Sequence, residues 1–243
     1  MLFNEFALGR NVSAPDIRNY KLAAFMPANL GDLSGEKLWD FKSEPLNQFE
    51  YPECIGFGLA DFRISAPEEN LCTNADGRSY YKMCKDLDGN TEPGSTVHTL
   101  ARVARKLGFI QNYAFAASVK EIIYWVLNRG SVIAGTEWMV DMFSSDRNNI
   151  VHPTGKLAGG HCYVVTGKTS NDLLRLKCAW GYSWGIKSEA FIAIEDFEKL
   201  FQKDGEALTA VELPASEVSN SPKDGCSAVI TNLLGLFKQG ATK

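Results

Sequence analysis

Asn47-Gln48-Phe49-Glu50-Tyr51-Pro52-Glu53-Cys54-Ile55-Gly56-Phe57-Gly58-Leu59-Ala60-Asp61-Phe62 places a cysteine behind a proline and a glutamate and ahead of an apolar run. Ile55, Phe57, Leu59, Ala60 and Phe62 predict a buried helix from Cys54 to about Arg63. A thiol at a helix N-terminus gains from the dipole and the unpaired N–H groups, which favour the thiolate. Six residues upstream, the side-chain amide of Gln48 can reach the same point as the Cys54 backbone N–H and complete a two-donor oxyanion hole. The competing role for the same thiol is that of a small buried hydrophobe.

The 243 residues, 45% of them apolar, suffice for one large domain or two lobes with a real core. A formal net charge of −4 and the lack of a Lys/Arg block argue against a nucleic-acid partner. No uncharged apolar run reaches the ~18 to 20 residues that span a bilayer. Met-Leu-Phe-Asn-Glu-Phe at the N-terminus carries a glutamate where a secretory signal needs a basic region, so a cytoplasmic or virion-associated location is expected. The six cysteines, 54, 72, 84, 162, 178 and 226, are expected to stay reduced. With no Cys-x-x-Cys pair, and with His161 and Cys162 adjacent and therefore pointing apart on a strand, neither a metal site nor another cofactor is expected.

Residues 1–37, broken by Pro15 and Pro27, read as an extended arm lying on the surface of a domain spanning 38–213. After the central helix comes a loop-rich stretch in which Asn74-Ala75-Asp76-Gly77 and Asp86-Leu87-Asp88-Gly89-Asn90 read as turns, since neither has the ligand spacing of a calcium loop. Val97, Leu100, Ala101, Ala104 and Leu107 recur at helical steps up to Gly108, and Ser118 opens a second helix to about Asn128. Short β-rich runs follow at 132–135, 161–166, 173–177 and 189–194. Helices first and strands after predict an α+β protein with a helical lobe over about 50–130, an antiparallel β lobe over about 131–200, and a cleft between them. Residues 214–243 read as a polar linker and a short apolar segment, 228–237, that either packs back on the domain as a helix or docks on another protein.

Of the three histidines, 98, 152 and 161, only His161 has a context with mechanical meaning. Gly159 and Gly160 before it let another backbone approach the imidazole. A thiol needs a base of near-neutral pKa to become a nucleophile and later to protonate a leaving amine, and a histidine from the opposite lobe supplies it. Beyond it lies Cys178-Ala179-Trp180-Gly181-Tyr182-Ser183-Trp184-Gly185.

Together these residues resemble a papain-like (C1 family) cysteine peptidase, of the compact bacterial or phage-encoded type without a propeptide domain. The resemblance covers roughly residues 38–197. It rests on Gln48 six residues before Cys54, on Gly159-Gly160-His161, and on Trp180-Gly181 and Trp184-Gly185 within the family's Asn-Ser-Trp-Gly-x-x-Trp-Gly signature. It implies a two-lobed fold with a Cys54–His161 dyad and an oxyanion hole at Gln48. It further implies Trp180 as the roof of the dyad, Trp184 on the leaving-group side, and Gly94 and Gly160 beside a bound peptide.

The departures are as informative. Cys178 stands where the family places the asparagine that orients the imidazole, and a thiol is a weak, poorly directional partner. Glu53 replaces a small residue beside the nucleophile and opposes thiolate formation if it lies close. The expected function is a cysteine-dependent peptidase or amidase acting on a peptide or protein. The alternative is a catalytically silent papain-like docking or structural protein of a phage particle or secretion assembly.

Overall fold

In the computed structural model, which describes residues 6–211, the first long element is helix α1, Cys54–Ile64. Every residue of it except Arg63 is buried, as expected of an apolar helix enclosed on all sides. Helix α2, Asn74–Asp88, packs across it. The turns expected at Asn74–Gly77 and around Asp86–Asn90 are the two ends of this helix, and the turn-forming residues are its caps. Thr73 accepts from Asp76 N–H while the Asp76 carboxylate accepts from Thr73 N–H, a capping box worth about 1 kcal/mol, and Gly89 closes the helix in the left-handed region. Gly77 has no side chain because the Phe57 ring of α1 lies against it; a Cβ there would come 2.8 Å from the ring.

Helices α3, Val97–Lys106, and α4, Val119–Asn128, start at Thr96 and Ser118, whose hydroxyls accept from the N–H groups three residues on. A fifth helix, α5, Ile194–Asp204, was not anticipated by the β-rich reading of the second half.

The strands are β1 Arg10–Asn11, β2 Tyr20–Lys21, β3 Lys37–Leu38, β4 Ser95–Thr96, β5 Asn112–Phe115, β6 Val132–Met139, β7 Leu157–Lys168, β8 Leu173–Lys177, β9 Glu189–Ala193 and β10 Glu206–Val211. Eight of them form one sheet in the order β2-β5-β10-β6-β7-β8-β9, with β3 added on β7; β1 and β4 pair separately and in parallel. All pairings along β10-β6-β7-β8-β9 are antiparallel.

Side-chain alternation along β7 divides two cores. Cys162 and Val164 face α1, α2 and α3, with Ile55, Phe57, Leu100 and Ile133. Tyr163 and Val165 face the opposite way, into a cluster with Trp138, Trp180, Trp184, α4 and α5. The architecture is therefore α+β, with a helical core and a β-lobe core on either side of β7. Helix α4, expected in the helical lobe, contributes Ile122, Ile123 and Val126 to the β-lobe core, because its apolar stripe matches that face of the sheet.

Among the described residues no helix is long and apolar enough to cross a membrane. The apolar segment 228–237, with Cys226, lies outside the described residues.

Candidate active site

Two loops tie the segment that carries Gln48 to the segment that carries Trp180. Gln48 N–H donates to Ala179 O at 2.8 Å and Gly181 N–H to Leu46 O at 2.8 Å, so the segment before α1 is stitched to the Trp-Gly segment. Cys54 opens α1 and is 1% exposed. The backbone N–H groups of Gly9 and of Cys162, the neighbour of His161, are directed at its sulfur. Glu53, the N-cap, makes no capping bond; its carboxylate is turned to Arg78 at 3.8 Å, and burial holds its pKa above the usual range.

His161 is fully buried in an aromatic nest. Its ring stacks on Trp180 at 4.2 Å, with Trp138 edge-on at 4.9 Å. Neither ring nitrogen has a hydrogen-bond partner among the described residues. Cys178, at the position expected of an orienting amide, is buried and leaves the imidazole without a hydrogen-bond anchor. Trp184 is also buried, its Nε1 donating to Met142 O at 3.1 Å, so it takes part in the β-lobe core.

The cleft is occupied by the chain's own N-terminal segment. The arm was expected to lie on the domain surface; residues 11–13 do, whereas residues 6–10 run past Trp180, Gln48, Gly159, Gly94 and Gly160. Phe6 packs on Trp180 at 5.0 Å. Ala7 O accepts from Gln48 Nε2 at 3.0 Å, the amide expected to hold an oxyanion; that Nε2 also donates to Tyr51 O. Leu8 lies against Gly159, whose absent side chain would come 2.9 Å from it. Ser95 N–H donates to Gly9 O at 3.0 Å, and Arg10–Asn11 pairs with Ser95–Thr96, so the wall at Gly94 binds arm backbone. A Cβ on Gly94 would come 3.0 Å from the Gly9 carbonyl carbon, and one on Gly160 would overlap the Arg10 carbonyl. The close approach that glycine permits beside His161 is made by this arm.

This filling sets the electrostatics. Burial pushes the Cys54 thiol up to about 12, against the smaller help of the Cys162 and Gly9 amides and of Arg10. Burial alone pulls His161 down to about 3. The closed site therefore holds a neutral thiol and a neutral imidazole, and the helix-dipole gain expected for Cys54 is outweighed by desolvation. One turn before the end of α1, the Asp61 carboxyl is buried with neither oxygen partnered among the described residues; burial raises it to about 7, with Lys177 opposing and Glu189 reinforcing the shift.

The sequence reading missed Arg10, Asp204 and Glu206. Arg10 Nη1 lies 3.2 Å from Asp204 Oδ2 and Nη2 lies 2.7 Å from Glu206 Oε2, in a contact closed over 194 and 196 residues of chain. No local pattern marks such a pairing. Cys54, Cys72, Cys84, Cys162 and Cys178 are all free and buried, and no cluster of metal-binding side chains exists among the described residues.

No family model matches the sequence. A sequence match to pro-neuregulin-1, membrane-bound isoform, of Xenopus laevis is 27% identical over 106 residues, covering 39% of this chain and 15% of that protein's length. The fold comparison is more extensive. The chain is similar to xylellain, a cysteine protease from Xylella fastidiosa, with a TM-score of 0.64 at 12% identity over 86% of this chain and 97% of that one. It is also similar to procathepsin B S9 from Trypanosoma congolense, TM-score 0.56 at 10% identity, covering 84% and 87%. Procathepsin L 3 of Tenebrio molitor gives a TM-score of 0.55 at 14% identity, covering 84% and 76%. The chain has the fold of the papain-like cysteine proteases.

Proposed function

We propose that the protein is a cysteine-dependent peptidase or amidase whose cleft is held closed by residues 6–13. The observation that carries this reading is a peptide carbonyl, that of Ala7, seated on the Gln48 amide beside Cys54. With the arm displaced and a substrate carbonyl in that place, Cys54 attacks the carbonyl carbon while His161 takes the thiol proton. The oxygen's developing charge is held by Gln48 Nε2 and the Cys54 N–H. His161 returns the proton to the leaving amine, and water admitted to the site then hydrolyses the thioester with His161 as base. Trp180 holds the imidazole by stacking, and Cys178, at the orienting position, makes no hydrogen bond to it.

A second reading is a silent relative that uses the fold for docking, inside a particle or a secretion assembly. The buried neutral thiol and the unpartnered His161 favour it. The two are separated by the full chain carrying Gly9→Val, whose added side chain overlaps Pro52 O and unseats the arm. Under reducing conditions this variant is expected to hydrolyse casein or a fluorogenic peptide, and Cys54→Ala in the same background to be inert. Absence of hydrolysis, together with failure of a vinyl-sulfone peptide to label Cys54, would establish the silent reading.

A further inference from the structure

Arg10 belongs to the arm, but the carboxylates and glycines that line the cavity it fills belong to the domain. Its side chain is 1% exposed. Asp204 ends α5 and Glu206 begins β10, so both carboxylates stand on framework elements that do not depend on the arm. Beside the ion pairs at 3.2 and 2.7 Å, Nη2 also donates to Asp204 O. Glu206 Oε2 additionally accepts from Ser13 N–H at 3.2 Å. The walls are hollowed to admit a long side chain: a Cβ on Gly135 would come 3.0 Å from Arg10 Nε and 2.7 Å from Val97, and one on Gly160 would come 3.2 Å from Arg10 Cδ. The cavity adjoins the candidate nucleophile, because Gly9, next to Arg10, directs its N–H at Cys54. Asp204 Oδ1 has no donor among the described residues. With the arm away, two carboxylates would remain at the end of a narrow slot without their cation. The Asp204 and Glu206 side chains are 32% and 13% exposed, and what a guanidinium adds there is paired charge-assisted N–H bonds that an aliphatic chain cannot offer.

We infer that the slot formed by Gly135, Gly160, Val97, Asp204 and Glu206 is a specificity pocket for an arginine side chain of the substrate, close to the bond that is cut. This rests on the peptidase reading for its use and on the slot's own charge and shape for its selectivity. Arg10 then occupies the pocket as a surrogate for the substrate's arginine.

The test separates binding from turnover. The full chain carrying Arg10→Ala and Cys54→Ala is titrated with the fluorescent octapeptide of residues 6–13, with arginine, citrulline or leucine at its fifth position. Arginine should bind at least about tenfold more tightly than the other two, and Glu206→Gln should bring all three within about twofold. Gly9→Val replaces Arg10→Ala as the arm-releasing change if the latter fails to fold. In parallel, the Gly9→Val chain with Cys54 intact is given casein, and the cut sites are mapped by mass spectrometry. Arginine should be enriched near the cuts, and Glu206→Gln should abolish the enrichment. Equal binding of the three peptides, no binding of any, or cutting without arginine enrichment overturns the pocket; the last leaves the peptidase reading intact. Selective binding without cutting supports the pocket and removes the peptidase reading.

Discussion

Helix α1 is approached closely from two sides, and the two contacts are built of opposite materials. Against α2, Gly56 and Gly77 bring helix to helix so tightly that a Cβ on Gly56 would come 2.6 Å from Tyr81 Cβ, and the surroundings are Phe57, Tyr80 and Cys84. Against the arm, Gly9 meets Pro52 and Gly94 with the same closeness, but the surroundings hold buried polar atoms with no partner among the described residues: Gln48 Oε1, both His161 nitrogens, Arg10 Nε and Asp204 Oδ1. An apolar seam loses nothing by being permanent, whereas unpartnered buried polar groups each cost about 1–3 kcal/mol. The arm contact is therefore the weaker of two contacts that look alike by shape, and the cleft is a surface whose polar groups are better served by another occupant.

The largest expected effect concerns thiol chemistry. Cys54 should resist iodoacetamide in the native chain at pH 7. Gly9→Val should raise its labelling rate by at least about a hundredfold, since a thiol released from a pKa near 12 to the ordinary ~8.5 gains about three orders of magnitude in thiolate fraction. Labelling of Cys54 at equal rates in both chains, read by mass spectrometry, would show that the arm does not seal the site.

At the seam, Gly77→Leu should lower stability by about 1–3 kcal/mol or more, with no change in Cys54 labelling, because overpacking here forces α1 and α2 apart. Urea melts of the two glycine variants side by side measure the difference between the contacts. A larger loss from Gly9→Val than from Gly77→Leu would reverse their order.

Cys178→Asn in the Gly9→Val background should raise turnover by about tenfold, as an amide acceptor fixes the imidazole that now has no partner. The same change should leave the arginine preference unmoved, which a general effect on folding would not do.

The smallest effect is a compensation. Between about pH 4 and 6.5 the folded chain keeps the Asp61 proton and lacks one on His161, while the unfolded chain does the reverse. Both states hold one proton on this pair, so it contributes no pH slope there. Removing either partner exposes the other. With Asp61→Asn, the unfolded chain binds the extra proton, and stability should rise with pH by at most about 1.4 kcal/mol per unit. With His161→Gln, the folded chain binds it, and stability should fall with pH by a similar amount. Denaturant titrations at three pH values check the two signs.

Much of this was legible in the sequence because it rests on local periodicity. The bounds of α1, the starts of α3 and α4 at Thr96 and Ser118, and β8 follow from apolar spacing and caps. Helix α2 was obscured because Asp76 and Gly77, ordinarily turn residues, serve as a cap and as a seat for Phe57. Strand β10 and the Arg10 ion pairs were illegible for a different reason: their meaning lies in partners on the far side of the chain. The nucleophile, base and Trp-Gly segments stand out by residue type, but that Leu8, Gly9 and Arg10 lie among them is a property of the tertiary fold.

Strand β2 gives the arm a further property. Tyr20–Lys21 is fixed in the main sheet beside Ala114–Phe115, so only residues 12–19 connect that anchor to the segment in the cleft. A tether this short gives the arm an effective concentration on the order of millimolar at its own site. Any free peptide competes against that figure, and its apparent affinity falls in proportion to the fraction of molecules with the arm out. Because the competition is unimolecular, dilution does not relieve it. Initial rates of the native chain should scale linearly with protein concentration, where an inhibitor acting between molecules would release its hold on dilution.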